Sequence, residues 1–487
     1  MTFWQSLFTY NPDSPMFFNK AEFWLFFGAI ILVYQFIHSR SFWRNGFIFI
    51  FSLFFYYKSS GMYLVILLFS IVLDYFVALY LDKWTNQQAR KTLLVVSISA
   101  NLALLAYFKY TNLILEAVYY LFQGNFQKLD IFLPIGISFY TFQTISYVVD
   151  VYYKEIKPCK NLLDYAFYMA FFPHLVAGPI VRARDFIDQI HAPYQLTRTD
   201  YGQAIYMILG GLIKKILISD YISLNFVDRV FENPTAYSGF ENLLAVYGYA
   251  IQIYCDFSGY TDIAIGIALL LGFRLKMNFN SPYIAASITD FWRRWHMSLS
   301  GWLRDYLYIA LGGNRKGKFR TYINLMLTML LGGLWHGAHI KFIIWGGLHG
   351  LALGVHKVWL DYVIKSKAEP EGLQRFAGQV LTFHFVCLCW IYFRAPNLDI
   401  VNQILAQIFT SFQALAVPQV LVGYQEVFIL MLIAYAIHWI PRTFKDELAE
   451  FFGVLPDIAK AVVIAIVVVA VYQASTAEIQ PFIYFQF

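Results

Sequence analysis

The sequence predicts an all-α, polytopic integral membrane protein, with about eleven transmembrane or re-entrant helices by the length that spanning a bilayer requires. Two observations carry this. The 487 residues are 59% hydrophobic and only 14% charged, with a mean hydropathy of +0.54; a soluble chain of this length would need a more charged shell to cover so much apolar surface. Apolar runs also recur from end to end, at 21–37, 61–81, 92–108, 322–331, 342–353 and 461–471. Several are shorter than the ~20 residues of a simple span, so some helices are expected to borrow semi-polar flanks or to enter the bilayer only partway.

The N-terminal residues show no basic region followed by an apolar core and a small-residue cleavage site, so the first long apolar run is expected to act as the insertion signal. Arg40 and Arg44 fill the first short loop and Lys83, Arg90 and Lys91 the third, while the stretch around Lys58-Ser59-Ser60 between them is almost neutral. The positive-inside rule then places those two basic loops in the cytoplasm and the N-terminus outside a cell (inner or cytoplasmic) membrane. The basic cluster Arg274, Lys276, Arg293, Arg294, Arg304, Arg315, Lys316, Lys318 and Arg320 is expected on the cytoplasmic side too. A net charge of +6 is modest and gives no reason to expect a nucleic-acid partner. The four cysteines, Cys159, Cys255, Cys387 and Cys389, have no metal-ligand spacing and read as buried thiols. No repeat and no long linker is evident, and 365–375 is the only polar seam, so one domain over 1–487 is expected, with core motifs at 130–360 and C-terminal helices at 376–487.

Ionisable residues are costly within a bilayer and usually face an interior path or each other. Three stretches stand out. "FFPHLVAGPIVRARDF" (171–186) sets His174, Arg182, Arg184 and Asp185 around a helix-breaking Gly178-Pro179, an interruption tolerated at membrane depth only inside protein or beside a cavity. "YCDFSGYTDIAIG" (254–266) carries Asp256, Ser258 and Asp262. Carboxylates six residues apart do not face one another on a helix, so these are expected to pair with arginines rather than form a catalytic dyad. "ITDFWRRWHMSLSGWLRDYLYIALGGNRKGK" (288–318) places His296 among Trp292, Trp295 and Trp302, rings expected at a membrane–water boundary. Asp290 is expected to pair with Arg293 or Arg294 at helical spacing. The cluster suits either lipid headgroups or the phosphates of a polyanionic donor such as coenzyme A, bound by Arg293, Arg294 and Arg304. No P-loop or dinucleotide fingerprint is present.

"LLGGLWHGAH" (330–339) differs in depth. His336 sits in an apolar run between Gly332, Gly333 and Gly337. The glycines are expected to leave room for a substrate to reach the ring, and desolvation favours the neutral imidazole that a general base requires. The bland alternative is a core histidine bonded to nearby backbone.

With those motifs in hand, the chain resembles the membrane-bound O-acyltransferase (MBOAT) family, and most of all its bacterial branch containing the alginate O-acetyltransferase membrane subunit. The likeness runs in order through "SLFFYYKSSGMYLVILLFSIVLDY", "YFKYTN", "LPIGISFYTFQTISYVVDVY", "FFPHLVAGPIVRARDF", "YCDFSGYTDIAIG", "FWRRWHMSLSGWLRDYLYIALGGNR", "GGLWHGAHIKFIIWGGLHG", "WIYFRA" and "PFIYFQF". The resemblance implies helices packed around a central funnel or tunnel, His336 as the catalytic residue and His296 as a second functional position. It implies no bound cofactor: acetyl-CoA or another acyl thioester is the donor substrate. It also implies an extracytoplasmic acetyltransferase-type partner protein and an exported surface polysaccharide as final acceptor. Two departures stand out. Ala310 occupies a position in "YLYIALGG" where members often carry proline, and His339-Ile340 replaces a small residue followed by tryptophan. His339, three residues from His336, is expected to share its helical face and line the tunnel, while His174, Asp256, Ser258 and Asp262 read as either tunnel-lining or structural polar groups.

Acyl transfer to a surface polysaccharide is therefore the leading expectation. D-alanyl transfer to teichoic acid on the same scaffold is the enzymatic rival. In a different class, a polysaccharide or proton transporter would use His174, Asp256, Asp262 and His336 as a path, but the inverted repeats typical of transporters are not evident.

Overall fold

A computed structural model describes residues 8–12, 14–122, 124, 126–176, 178–365, 370–475 and 483. The described residues are helical or irregular, with no strand among them, as the composition requires. Most of the closing "PFIYFQF" and the middle of the 365–375 seam lie outside the described residues. Five helical stretches are long and apolar enough to cross a membrane: Ser41–Lys83, Gln87–Leu121, Gly239–Leu270, Gly372–Arg394 and Asp457–Ala474. Two bent pairs raise the number to seven, Leu398–Thr410 with Ala414–Gly423 at 87° and Gln425–Trp439 with Arg442–Val454 at 95°. The expected eleven also included shorter and re-entrant helices, which this length and hydropathy leave out. Apolar runs such as 322–331 and 342–353 are embedded in more polar helices, Lys318–His336 and Ile340–Val358, that do not qualify by hydropathy.

The chain forms two compact units, Met1–Ala204 with Ala264–Lys276, and Ile205–Ile263 with Met277–Phe487. In the first, an aromatic core gathers Phe18, Phe23, Phe55 and Phe172. A second cluster joins Phe167, Phe171, Phe186 and Phe273. The helix Ser41–Ser60 and the helix Leu64–Lys83 run on through a single turn at Gly61–Tyr63 as one 43-residue apolar stretch. Lys58, Ser59 and Ser60 are buried there, so they do not form the exposed neutral loop anticipated from the sequence.

Two of the arginines counted as loop charges are also internal. Arg44 is buried and donates to the carbonyls of Ile190 at 2.5 Å and Ala192 at 3.0 Å. Arg90 is buried and donates to Leu81 and Tyr152 carbonyls. A guanidinium has five donors and satisfies otherwise unpaired carbonyls at helix ends. These two charges fasten loops to the core.

In the second unit, helices Lys318–His336 and Ile340–Val358 form an αα-hairpin joined by three residues. Its seam is built from glycines. A Cβ on Gly333 would strike the Phe342 carbonyl and approach Gly346 Cα at 3.1 Å, and one on Gly346 would strike the Met329 carbonyl. The two backbones can touch only because neither position carries a side chain, the arrangement small residues serve in membrane helices generally.

Candidate active site

His336 is the last residue of the helix Lys318–His336, and the chain then breaks at an extended Gly337. Its imidazole is buried in an aromatic box. Trp335, Trp345 and Phe393 stand edge-to-face around it with ring centroids at 4.9, 5.1 and 5.3 Å. Three elements supply these walls: the helix that ends at His336, its hairpin partner Ile340–Val358, and Gly372–Arg394. Trp390 backs the box, 5.4 Å from Phe393 and stacked on Trp345 at 6.1 Å. Lys341 ties two of these elements together by donating to the Ala395 carbonyl at 2.6 Å.

The glycines flanking His336 do not serve the purpose expected of them. Gly333 meets Gly346 and the Phe342 carbonyl, Gly337 meets the Phe342 ring, and Gly332 has Leu303 Cδ1 at 3.2 Å from where a Cβ would stand. They permit close packing of neighbouring chain and provide no open space beside the ring. The space next to the imidazole is bounded by aromatic faces.

His339 does not share a helical face with His336, because the helix ends between them. It is the N-cap of Ile340–Val358, where its Nδ1 accepts from the Lys341 amide at 3.2 Å and satisfies one of the amides that a helix start leaves open.

His296 is also a cap. It adopts a left-handed backbone (φ 43°) between the short helices Ile288–Arg294 and Met297–Trp302, and its Nδ1 accepts from the Leu299 amide at 3.2 Å. In the neutral ring this fixes the proton on Nε2. The imidazole is fully buried against Phe257 at 4.7 Å and faces Trp335 at 6.3 Å, so Trp335 lies against both histidines. Trp292, Trp295 and Trp302 are buried in the protein and do not form the interfacial belt anticipated for them. Large planar rings flanking basic residues are equally what an aromatic core needs, and sequence alone does not separate the two uses. Arg294 is held by Asp290 at 2.8 Å and Arg304 by Asp305 at 2.7 Å, while Arg293 is exposed.

The carboxylates of the second motif are paired with lysines, not arginines. Asp256 takes Lys215 at 2.6 Å, and the same ammonium takes Asp220 at 2.7 Å. Asp262 takes Lys214 at 2.5 Å. The remaining Asp256 oxygen accepts from the Ile483 amide at 2.9 Å. Lys214 and Lys215 lie in the π-helical turns Ile213–Asp220, next to a crossing where a Cβ on Gly259 would meet the Gly211 carbonyl at 2.7 Å. Ser258 is buried on the same helix. This is an ion-paired brace, and the two lysines in "GGLIKKILISD" were its readable signal. His174 belongs to the other unit, where its Nε2 lies 2.9 Å from the Tyr168 carbonyl among Phe171 and Phe186. That is the bonding of a structural histidine.

Among the described residues no three His, Cys, Asp or Glu side chains come together as a metal site. The four cysteines are free and buried.

Residues 154–395 match the model of MBOAT, the membrane-bound O-acyltransferase family. The chain is 42% identical to the probable alginate O-acetylase AlgI of Pseudomonas aeruginosa over 68% of this chain and 62% of that protein. It is 38% identical to the peptidoglycan O-acetyltransferase of Helicobacter pylori over 72% of this chain and 70% of that one. It is 32% identical to the teichoic acid D-alanyltransferase of Bacillus subtilis over 53% and 68%. The chain belongs to the membrane-bound O-acyltransferase family. The matched segment spans about three fifths of the length of the Pseudomonas relative.

Proposed function

We propose that this protein is a membrane O-acyltransferase that passes an acyl group, most simply acetyl, from a cytosolic thioester to a hydroxyl destined for an exported surface polysaccharide, with His336 as general base. The observation that carries the proposal is the enclosure of His336 by Trp335, Trp345 and Phe393 at the terminal turn of its helix. The identity to the alginate O-acetylase exceeds that to the D-alanyltransferase, 42% against 32%, which favours acetyl over D-alanyl transfer.

In this reading His336 takes the proton of the acceptor hydroxyl as its oxygen attacks the thioester carbonyl. The tetrahedral oxyanion collapses, the carbon–sulfur bond breaks, and the thiolate leaves with the proton returned by the imidazolium. The last turn of a helix carries partial negative charge, which favours the cation formed on His336 during the step. The aromatic walls exclude water that would otherwise hydrolyse the thioester. His296, capped and buried, holds Trp335 in place. Exposed Arg293, with Arg294 and Arg304 on the same segment, is suited to the donor's phosphates. An extracytoplasmic partner protein completes delivery to the polymer.

General-base catalysis contributes ~10²–10⁴ in rate, so His336→Gln, which preserves bulk but cannot accept a proton at neutral pH, should lower transfer at least ~10²-fold. The assay is acetate released by mild base from purified surface polysaccharide, in a deletion strain carrying each variant at matched membrane abundance. Near-normal acetylation by the variant overturns the assignment.

A further inference from the structure

Beside the box around His336 lies a second group of buried polar side chains that the reaction as derived does not use. His349, on the helix Ile340–Val358, is fully buried, and neither of its ring nitrogens has a hydrogen-bond partner. Its ring is 4.7 Å from Trp345 and 5.1 Å from Trp292, and those two indoles are 5.8 Å apart. Both indole nitrogens are likewise buried without a partner. Four buried nitrogens on three mutually touching side chains thus have no hydrogen-bond partner within the protein. Buried donors are rarely left this way, because each forfeits its water without replacement. Chance packing does not readily gather them at one place, and Trp345 is at once a wall of this group and a wall of the His336 box.

We propose that His349, Trp292 and Trp345 form a polar subsite that receives an amide of the acyl donor's pantetheine-type arm. The proposal rests on the acyl-thioester reading above. The chemistry matches group by group. An indole N–H only donates, so the two tryptophans call for an acceptor such as a carbonyl oxygen. A neutral imidazole offers one donor and one acceptor, which complements the C=O and N–H of an amide. Both a coenzyme A thioester and a carrier-protein thioester present such amides at the end of a flexible arm. A subsite sharing Trp345 with the base would set the arm's depth and bring the thioester carbonyl to His336.

The test compares two donors on the full-length protein in inverted membrane vesicles of its host, which retain its partner and acceptor, with acyl groups incorporated into polymer as the readout: acetyl-CoA, and S-ethyl thioacetate, which carries the same acyl thioester without any amide. His349→Phe keeps an aromatic ring in the cluster and removes its hydrogen bonding. It is expected to raise KM for acetyl-CoA about tenfold, on the scale of an unpaired buried hydrogen-bonding group, while leaving kcat/KM for S-ethyl thioacetate unchanged. His349→Asn, which restores a donor and an acceptor, should recover much of the loss. Trp292→Phe retains the ring, does not touch His336, and should show the same donor-selective defect if His349→Phe fails to fold. An active parent protein whose variants lose equally on both donors, or lose nothing, overturns the subsite, and the group is then structural or holds water. A parent protein that transfers from neither thioester overturns the acyl-thioester reading and the subsite with it.

Discussion

The brace at Lys215 should dominate the stability of the second unit. Its ammonium serves two carboxylates at once, and the side chains of Lys215, Asp220 and Asp256 are only 1%, 9% and 3% exposed. Replacing Lys215 with Met keeps the length of the aliphatic stem and removes the charge, so the packing term is small and the electrostatic term stands alone. Two carboxylates are then left in a dry interior without their cation. Breaking a buried pair in this way typically costs 3–5 kcal/mol, whereas removing all partners together is often close to neutral. Lys215→Met should therefore lower the melting temperature of the detergent-solubilised protein by roughly 5 °C or more, scaled down from the 2–4 °C per kcal/mol of smaller domains. Adding Asp220→Asn and Asp256→Asn to the same chain should recover most of the loss. Size-exclusion of fluorescently tagged protein after stepwise heating measures both. If Lys215→Met melts with the parent, or if the triple variant is worse than the single one, the three residues are not a mutually compensating ionic brace.

Two further outcomes are expected. Gly333→Val forces branched carbons into the hairpin seam, where overpacking costs about 1–3 kcal/mol, and shifts the helix end that carries His336; acyl transfer should fall at least tenfold, whereas Gly347→Ala, whose Cβ would meet only Leu330 Cδ2 at 3.5 Å, should be near-normal, and equal activity of the two would refute the seam. For orientation, a cysteine at exposed Ser14 should react with an impermeant maleimide in intact cells and one at exposed Ser39 should not, because the helix Ala21–Ile37 separates them; the reverse pattern puts the basic first loop outside.

Much of this was legible in one dimension. The all-helical membrane architecture follows from composition, since no soluble shell is available for so apolar a chain. His336 stood out as a titratable group in an apolar run, and the order of the motifs pointed to the family. The role of its glycines was not legible. Glycine beside a histidine reads equally as room for a ligand or as an approach of backbone to backbone, and the decision depends on Gly346, thirteen residues after Gly333 and across a turn. The walls of the box were equally hidden, because Trp345 and Phe393 reach His336 from other helices and no periodicity within one helix connects them. The buried Arg44 and Arg90 went astray for a related reason: hydropathy reports what a segment is made of, and not whether protein or lipid surrounds it.

The same distinction sorts the polar residues of the interior. Asp256 and Asp262 attract attention in the sequence because carboxylates are expensive in a membrane, yet their cost is offset locally by Lys215 and Lys214, residues more than forty positions away. A charge so compensated is held in one place and has little reason to exchange protons with a substrate. One ring nitrogen of each of His174, His296 and His339 is engaged, by a carbonyl and by two helix-start amides. Around Trp345 the pattern is different, for there the protein surrounds two imidazoles with aromatic faces and leaves His349 and the indole nitrogens of Trp292 and Trp345 unanswered. Polarity that the fold itself does not satisfy is what a substrate can satisfy, and around Trp345 four such nitrogens meet on three touching side chains beside the box of His336.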